Sequence, residues 1–159
     1  PLQEVFIVSI EFIDFAGTWT LAESYSEQNG AQRSLPLGER VVGRINYDAV
    51  GNMAAQLMGN GRQAFSSRNP SEVADDEYRA AFQSYTSYFG RYTIDADAGT
   101  VTHHVEGASA PGWPGHDQLR YFELEGETLT LRTPPMRGND GQKSVHTLVW
   151  HRVPGTRLE

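Results

Sequence analysis

The chain has 159 residues, with 13 Lys and Arg against 20 Asp and Glu, and a formal net charge of −7. That length suits one domain able to bury a core without staples, and an acidic chain with no run of Lys or Arg repels phosphate backbones, so no nucleic-acid partner is expected. There is no cysteine, which excludes disulfides and thiolate chemistry, favours a reducing compartment, and makes a cytoplasmic location the expectation.

The N-terminal EVFIVSIEFIDF is apolar but interrupted by Glu4, Glu11 and Asp14. It lacks the length for a membrane span and the basic leader and small-residue cleavage site of a signal peptide. No membrane partner is expected. Residues 1–15 read as an extension that plugs one end of the fold or mediates self-association, which leaves a homodimer open.

From residue 17 onward the signal is short β-type runs separated by turn residues. The first is Thr18–Tyr25. VVGRINY and NMAAQLM form a hairpin about Asp48-Ala49-Val50-Gly51. SYFGRYTID and TVTHHVEG follow, joined by Ala96-Asp97-Ala98-Gly99, and then QLRYFELE and TLTLRT, joined around Gly126. SVHTLVWHRV is the eighth. One helix interrupts them at about residues 70–84, with Asn69 as cap, Pro70 in its first position and Glu72 three after the cap. Residues 154–159 form a short tail.

Eight strands in sequential order predict an all-β fold, an eight-stranded up-and-down antiparallel barrel with one helix between strands 3 and 4, a closure that removes exposed edges. The connections alternate short and long. In such a barrel the tight turns gather at one end, and the long loops gather at the other, the expected mouth.

GTWTL at 17–21 resembles the G-x-W signature that opens lipocalin-type barrels, and LVWHRV at 148–153 resembles their last strand, where a basic residue packs over that tryptophan. The chain is similar to a family of small microbial lipocalin-like domain proteins through GRINY, AFQSYTSYFGRYTID, GTVTHHVEG, WPGHDQLRYFELEGETLTL and LVWHRV, across residues 16–153. The resemblance implies a barrel around a small-molecule cavity and names no single reaction. The geometry independently brings Trp19 and Arg152 together at the tied-off end, as a structural pair in which guanidinium stacks on indole for about 0.5–2 kcal/mol.

Adjacent strand residues face opposite ways. The more apolar faces carry Trp19, Leu21, Glu23 and Tyr25 on the first strand, then Tyr47, Met53 and Leu57. Tyr88 and Tyr92 follow, then His103 with Val101 and Val105, and Gln118, Arg120 and Phe122. Leu131, His146, Trp150 and Arg152 complete the set. His104 falls outside with Thr102 and Glu106. The expectation is a greasy lower cavity with Phe122, Leu131 and Trp150 in its wall. A polar collar of Tyr88, His103, Arg120, His146 and Glu23 stands at the mouth, with Tyr25 and Gln118 beside it. His103 is expected to face Arg120. Trp113, on the loop SAPGWPGHD, reads as a rim or lid. An Arg120–Glu23 ion pair and hydrogen bonding of His103 to Tyr88 or Tyr92 stay open as purely structural readings.

No H-x-H or H-E-x-x-H spacing suggests a metal, and there is no nucleophile elbow and no phosphate loop. No cofactor is expected. Two functions remain. One is binding of a small hydrophobic or amphipathic metabolite, its oxygen-bearing group anchored at the collar. The other is cofactor-free cyclisation or isomerisation of a polyketide-like or terpenoid-like substrate. There His103 and His146 would act as acid and base, and Arg120, Tyr88 and Glu23 would assist.

Overall fold

A computed structural model describes residues 9–31 and 33–159. Nine strands and two short α-helices follow one another: α1 (Phe12–Phe15), β1 (Gly17–Gln28), β2 (Val41–Tyr47), β3 (Asn52–Gly59), α2 (Asp75–Gln83), β4 (Tyr85–Asp95), β5 (Thr100–Ala108), β6 (Asp117–Glu125), β7 (Thr128–Arg132), β8 (Met136–Arg137) and β9 (Lys143–Arg152). Each strand pairs antiparallel with the next through β7, β9 joins β7 to β1, and the two-residue β8 only fringes β9. The result is the expected closed eight-strand barrel, β9 being the eighth wall strand. The tight turns lie at one end, with Gly51, Gly99 and Gly126 each at positive φ.

The helix differs from the sequence expectation. Asn69 and Pro70 open a single 3-10 turn, Pro70–Glu72, in which the Asn69 side chain accepts from Ser71 N. Val73 and Ala74 then revert to extended backbone, and α2 starts at Asp75 with Glu77 reaching back to the Ala74 N–H. Val73, buried at this break, interrupts the helix that periodicity alone would have run through.

Two bulges set which side chains face inward. In β1 the register on β9 shifts between Leu21 and Glu23. Leu21 opposes Trp150, whereas Ser24, rather than Glu23, opposes the next inward residue, Leu148. Ala22 is the inserted residue, and a bulge turns everything beyond it to the other face. Glu23 and Tyr25 therefore point outward, correcting the expected collar, and Ser24 is buried inside. The second shift lies between Phe89 and Gly90 against β5. There the His104 carbonyl comes so close to Gly90 that any Cβ would collide with it, so glycine is required by close approach.

The lower barrel is packed, not hollow. Phe15 projects from α1 into the tied-off end, where it meets Tyr47, Tyr92 and Phe122 at centroid distances of 5.2, 6.2 and 5.1 Å. Trp19, Tyr47, Met53, Tyr92, Leu129 and Trp150 fill the surrounding layer. The expected greasy lower cavity is thus occupied by the protein's own N-terminal segment. A role for residues 1–8 in self-association lies outside the described residues.

At the same end Trp19 and Arg152 are register partners. The Arg152 guanidinium carbon sits 4.0 Å from the Trp19 ring centroid. Its two amino groups donate to the carbonyls of Ala16 and Asp14, and Nε lies 2.6 Å from Glu127 Oε2. Trp19 Nε1 donates to the Phe15 carbonyl at 2.9 Å. Arginine, tryptophan and plug are one connected assembly.

Candidate functional site

His103 is fully buried at mid-height in the barrel. Its strand partners are Tyr92 on β4 and Gln118 on β6, whereas Arg120 opposes Val101. The expected direct approach to Arg120 is replaced by hydrogen bonds to two tyrosines, from Nε2 to Tyr47 Oη at 2.7 Å and from Nδ1 to Tyr88 Oη at 2.9 Å. Tyr92 Oη instead donates to the Asp48 carbonyl at 2.6 Å. His104 lies outside, between Asp117 and Thr93, and takes no part.

Burial holds the His103 pKa down at about 3, and the charges of Arg120 and His104 push the same way. The imidazole is neutral in the folded protein across the whole physiological range. The unfolded chain protonates it near 6.5. The stability that neutral His103 contributes is therefore complete above 6.5 and is lost as the pH falls from there through about 3. One proton taken up only on unfolding corresponds to a slope of about 1.4 kcal/mol per pH unit in that window. Urea midpoints measured between about pH 4 and 6 should fall more steeply for the native chain than for His103→Gln; equal slopes would remove His103 from the acid response.

Gln118 and Arg120 on β6, His146 and Leu148 on β9, Leu57 on β3 and Ser24 on β1 also face the interior. All but Ser24 are half-buried although they face inward. Arg120 Nη2 donates to Gln118 Oε1 at 3.2 Å and Nη1 to the Leu119 carbonyl at 2.8 Å. With Glu23 turned out by the bulge, no carboxylate among the described residues pairs with Arg120. Its positive charge reaches the whole interior, opposing protonation of His146 and favouring ionisation of Tyr47 and Tyr88, in each case against or beside the larger effect of burial. His146 Nε2 is 2.8 Å from Ser24 Oγ. Burial first and Arg120 second lower its pKa.

Trp113 sits half-buried on the loop 109–116, its ring edge-on to Tyr88 at 5.8 Å. Phe122 and Leu131 are paired neighbours in the interior wall. Among the other expected ligand contacts, Tyr47, Met53, Tyr92 and Trp150 belong to the packed base. Tyr25 is outside, under the Arg33 guanidinium at 3.8 Å. The recess beside α2, about 380 Å³ in volume and lined by Arg62, Phe65, Glu77 and Ala81, takes in none of the expected site residues. Two interior residues escaped the sequence reading. Phe15 carried a signal, an apolar residue just before the G-x-W strand. Ser24 carried none, because Ala22 bulges without a glycine.

Among the described residues no cluster of three or more His, Asp or Glu side chains is arranged to hold a metal. No described helix is long and apolar enough to cross a membrane.

The chain folds as a closed antiparallel barrel with a packed base and polar side chains on its inner face. A family model described as a lipocalin-like domain matches residues 16–153, and the chain belongs to that family. A comparison with curated proteins found no match. The lipocalin-like barrel suggests binding of small hydrophobic molecules.

Proposed function

We propose that the protein binds a small amphipathic metabolite in the upper half of the barrel. The apolar body rests against Leu57 and Leu148, under Trp113, and an oxygen-bearing group is held at Arg120 with Gln118 and the Ser24–His146 pair beside it. The observation that carries this reading is a guanidinium inside the barrel without a carboxylate. A buried or half-buried charge is costly unless something compensates it, and an anionic or strongly dipolar ligand group would do so.

A titration with 8-anilinonaphthalene-1-sulfonate, an anionic amphipathic dye, is expected to saturate at about one molecule per chain. Loss of one charge-assisted contact in Arg120→Met should weaken the dye about tenfold, or about 1.4 kcal/mol. Absence of saturable binding, or binding unchanged in Arg120→Met, overturns the reading.

Cofactor-free cyclisation or isomerisation of a polyketide-like or terpenoid-like substrate is the alternative. Burial of His103 counts against it, because that histidine neither reaches a ligand nor titrates near neutrality, leaving His146 as the one interior imidazole open to solvent.

A further inference from the structure

Tyr47, His103 and Tyr88 form an unbroken chain of hydrogen bonds across the barrel. A neutral imidazole has one N–H and one bare nitrogen. One tyrosine must therefore donate to His103 while the other accepts from it. The accepting tyrosine keeps its own O–H, which needs a partner of its own.

The two ends of the chain are not equivalent. Tyr47 is wedged in the aromatic base, 5.2 Å from Phe15 and 4.7 Å from Tyr92. It is 3% exposed, and its hydroxyl has no second partner among the described residues. A spare hydroxyl hydrogen there would be buried unsatisfied, which is costly. Tyr88 is 9% exposed and stands against the mouth residue Trp113. Tyr88 is the less enclosed of the two ends, so the spare hydrogen falls to it.

We infer that the chain runs one way, Tyr47 Oη–H to His103 Nε2 and His103 Nδ1–H to Tyr88 Oη, so that Tyr88 is a fixed hydrogen-bond donor into the upper interior and, with Arg120, selects a carboxylate-bearing ligand. This rests on the ligand-binding reading above and sharpens it. On this reading the site holds two donors, one of them cationic, and the relay leaves Tyr88 no free choice of polarity. A carboxylate offers acceptors only and satisfies both. An ammonium offers donors only and faces two donors. Tyr47 and His103 act through Tyr88 and are positioning residues.

Two measurements on the full chain test this. The first needs no ligand. Nitrogen-15 NMR of the histidine-labelled protein should show His103 protonated at Nδ1 and bare at Nε2; the reverse tautomer overturns the relay whatever the protein binds. The second is calorimetry with octanoate, octan-1-ol and octylamine, which share one tail. Octanoate should bind at least about tenfold tighter than octanol, octylamine should give no measurable heat of binding, and Tyr88→Phe should cut octanoate affinity about tenfold while leaving octanol within about twofold. Octylamine binding as tightly as octanoate, or octanoate affinity unchanged in Tyr88→Phe, overturns the proposed selectivity while leaving small-molecule binding intact. If none of the three binds and the dye does not saturate, the binding reading falls as well. The tautomer and the comparison of the three probes are read on the unaltered protein, so a Tyr88→Phe chain that misfolds does not shield the proposal.

Discussion

Replacing Arg152 by alanine is expected to destabilise the protein by about 3–5 kcal/mol in urea unfolding. The side chain is almost fully buried, and it satisfies four groups at once. It donates to the carbonyls of Asp14 and Ala16, pairs with Glu127 and covers the face of Trp19. Truncation leaves two carbonyls short of a donor and strips the indole of its cation. It also loosens the plug, because both carbonyls belong to the segment that carries Phe15. For a chain of this size each kcal/mol lowers Tm by about 2–4 °C. Arg157 touches the same Glu127 at 2.6 Å but is half exposed, so Arg157→Ala should stay within about 1 kcal/mol of the native chain. Similar losses in the two variants would mean that Glu127, not the buried hydrogen bonds, carries the stability.

Phe15→Ala is the second large effect, expected at about 3–5 kcal/mol. Phe15 is fully buried and touches three aromatic rings that come from β2, β4 and β6. These strands are not neighbours, so the ring bridges the barrel floor, and little can collapse into the space it leaves. Ile13, two residues earlier and largely exposed, is the internal control: Ile13→Ala should cost less than about 1 kcal/mol. Denaturant midpoints for the pair decide whether the segment plugs the barrel or merely lies against it. The family match begins at residue 16, so a chain trimmed to the matched region would lose this ring.

The barrel was legible because hairpin order and alternating apolar residues are local signals, and sequential strands can close only in a few ways. His103 inside and His104 outside follow from period 2 in a strand whose inner face is Val101, His103 and Val105. Period 2 failed in β1 because it assumes an unbroken pleat. Nothing in Leu21-Ala22-Glu23 marks a bulge, and one inserted residue put Glu23 and Tyr25 on the wrong side of the wall. The floor was misread for a different reason. Whether an interior is hollow depends on what enters from outside the barrel, and α1 is four residues long, too short for periodicity to show. The tyrosine partners of His103 come from β2 and β4, and only the folded register brings their hydroxyls to its two nitrogens.

The bulge at Ala22 makes β1 two strands of opposite parity spliced in series. Below it, odd-numbered side chains face inward, as Trp19 and Leu21 do; above it, even-numbered Ser24 does. A deletion of Ala22 would restore a single parity and leave Glu23 opposite Val149, still outward, and Ser24 opposite Leu148, still inward. The floor residues Trp19 and Leu21 would keep their places as well. In a barrel built this way, one extra residue in the wall is absorbed at the bulge, and the residues on either side of it keep the faces that the register assigns them.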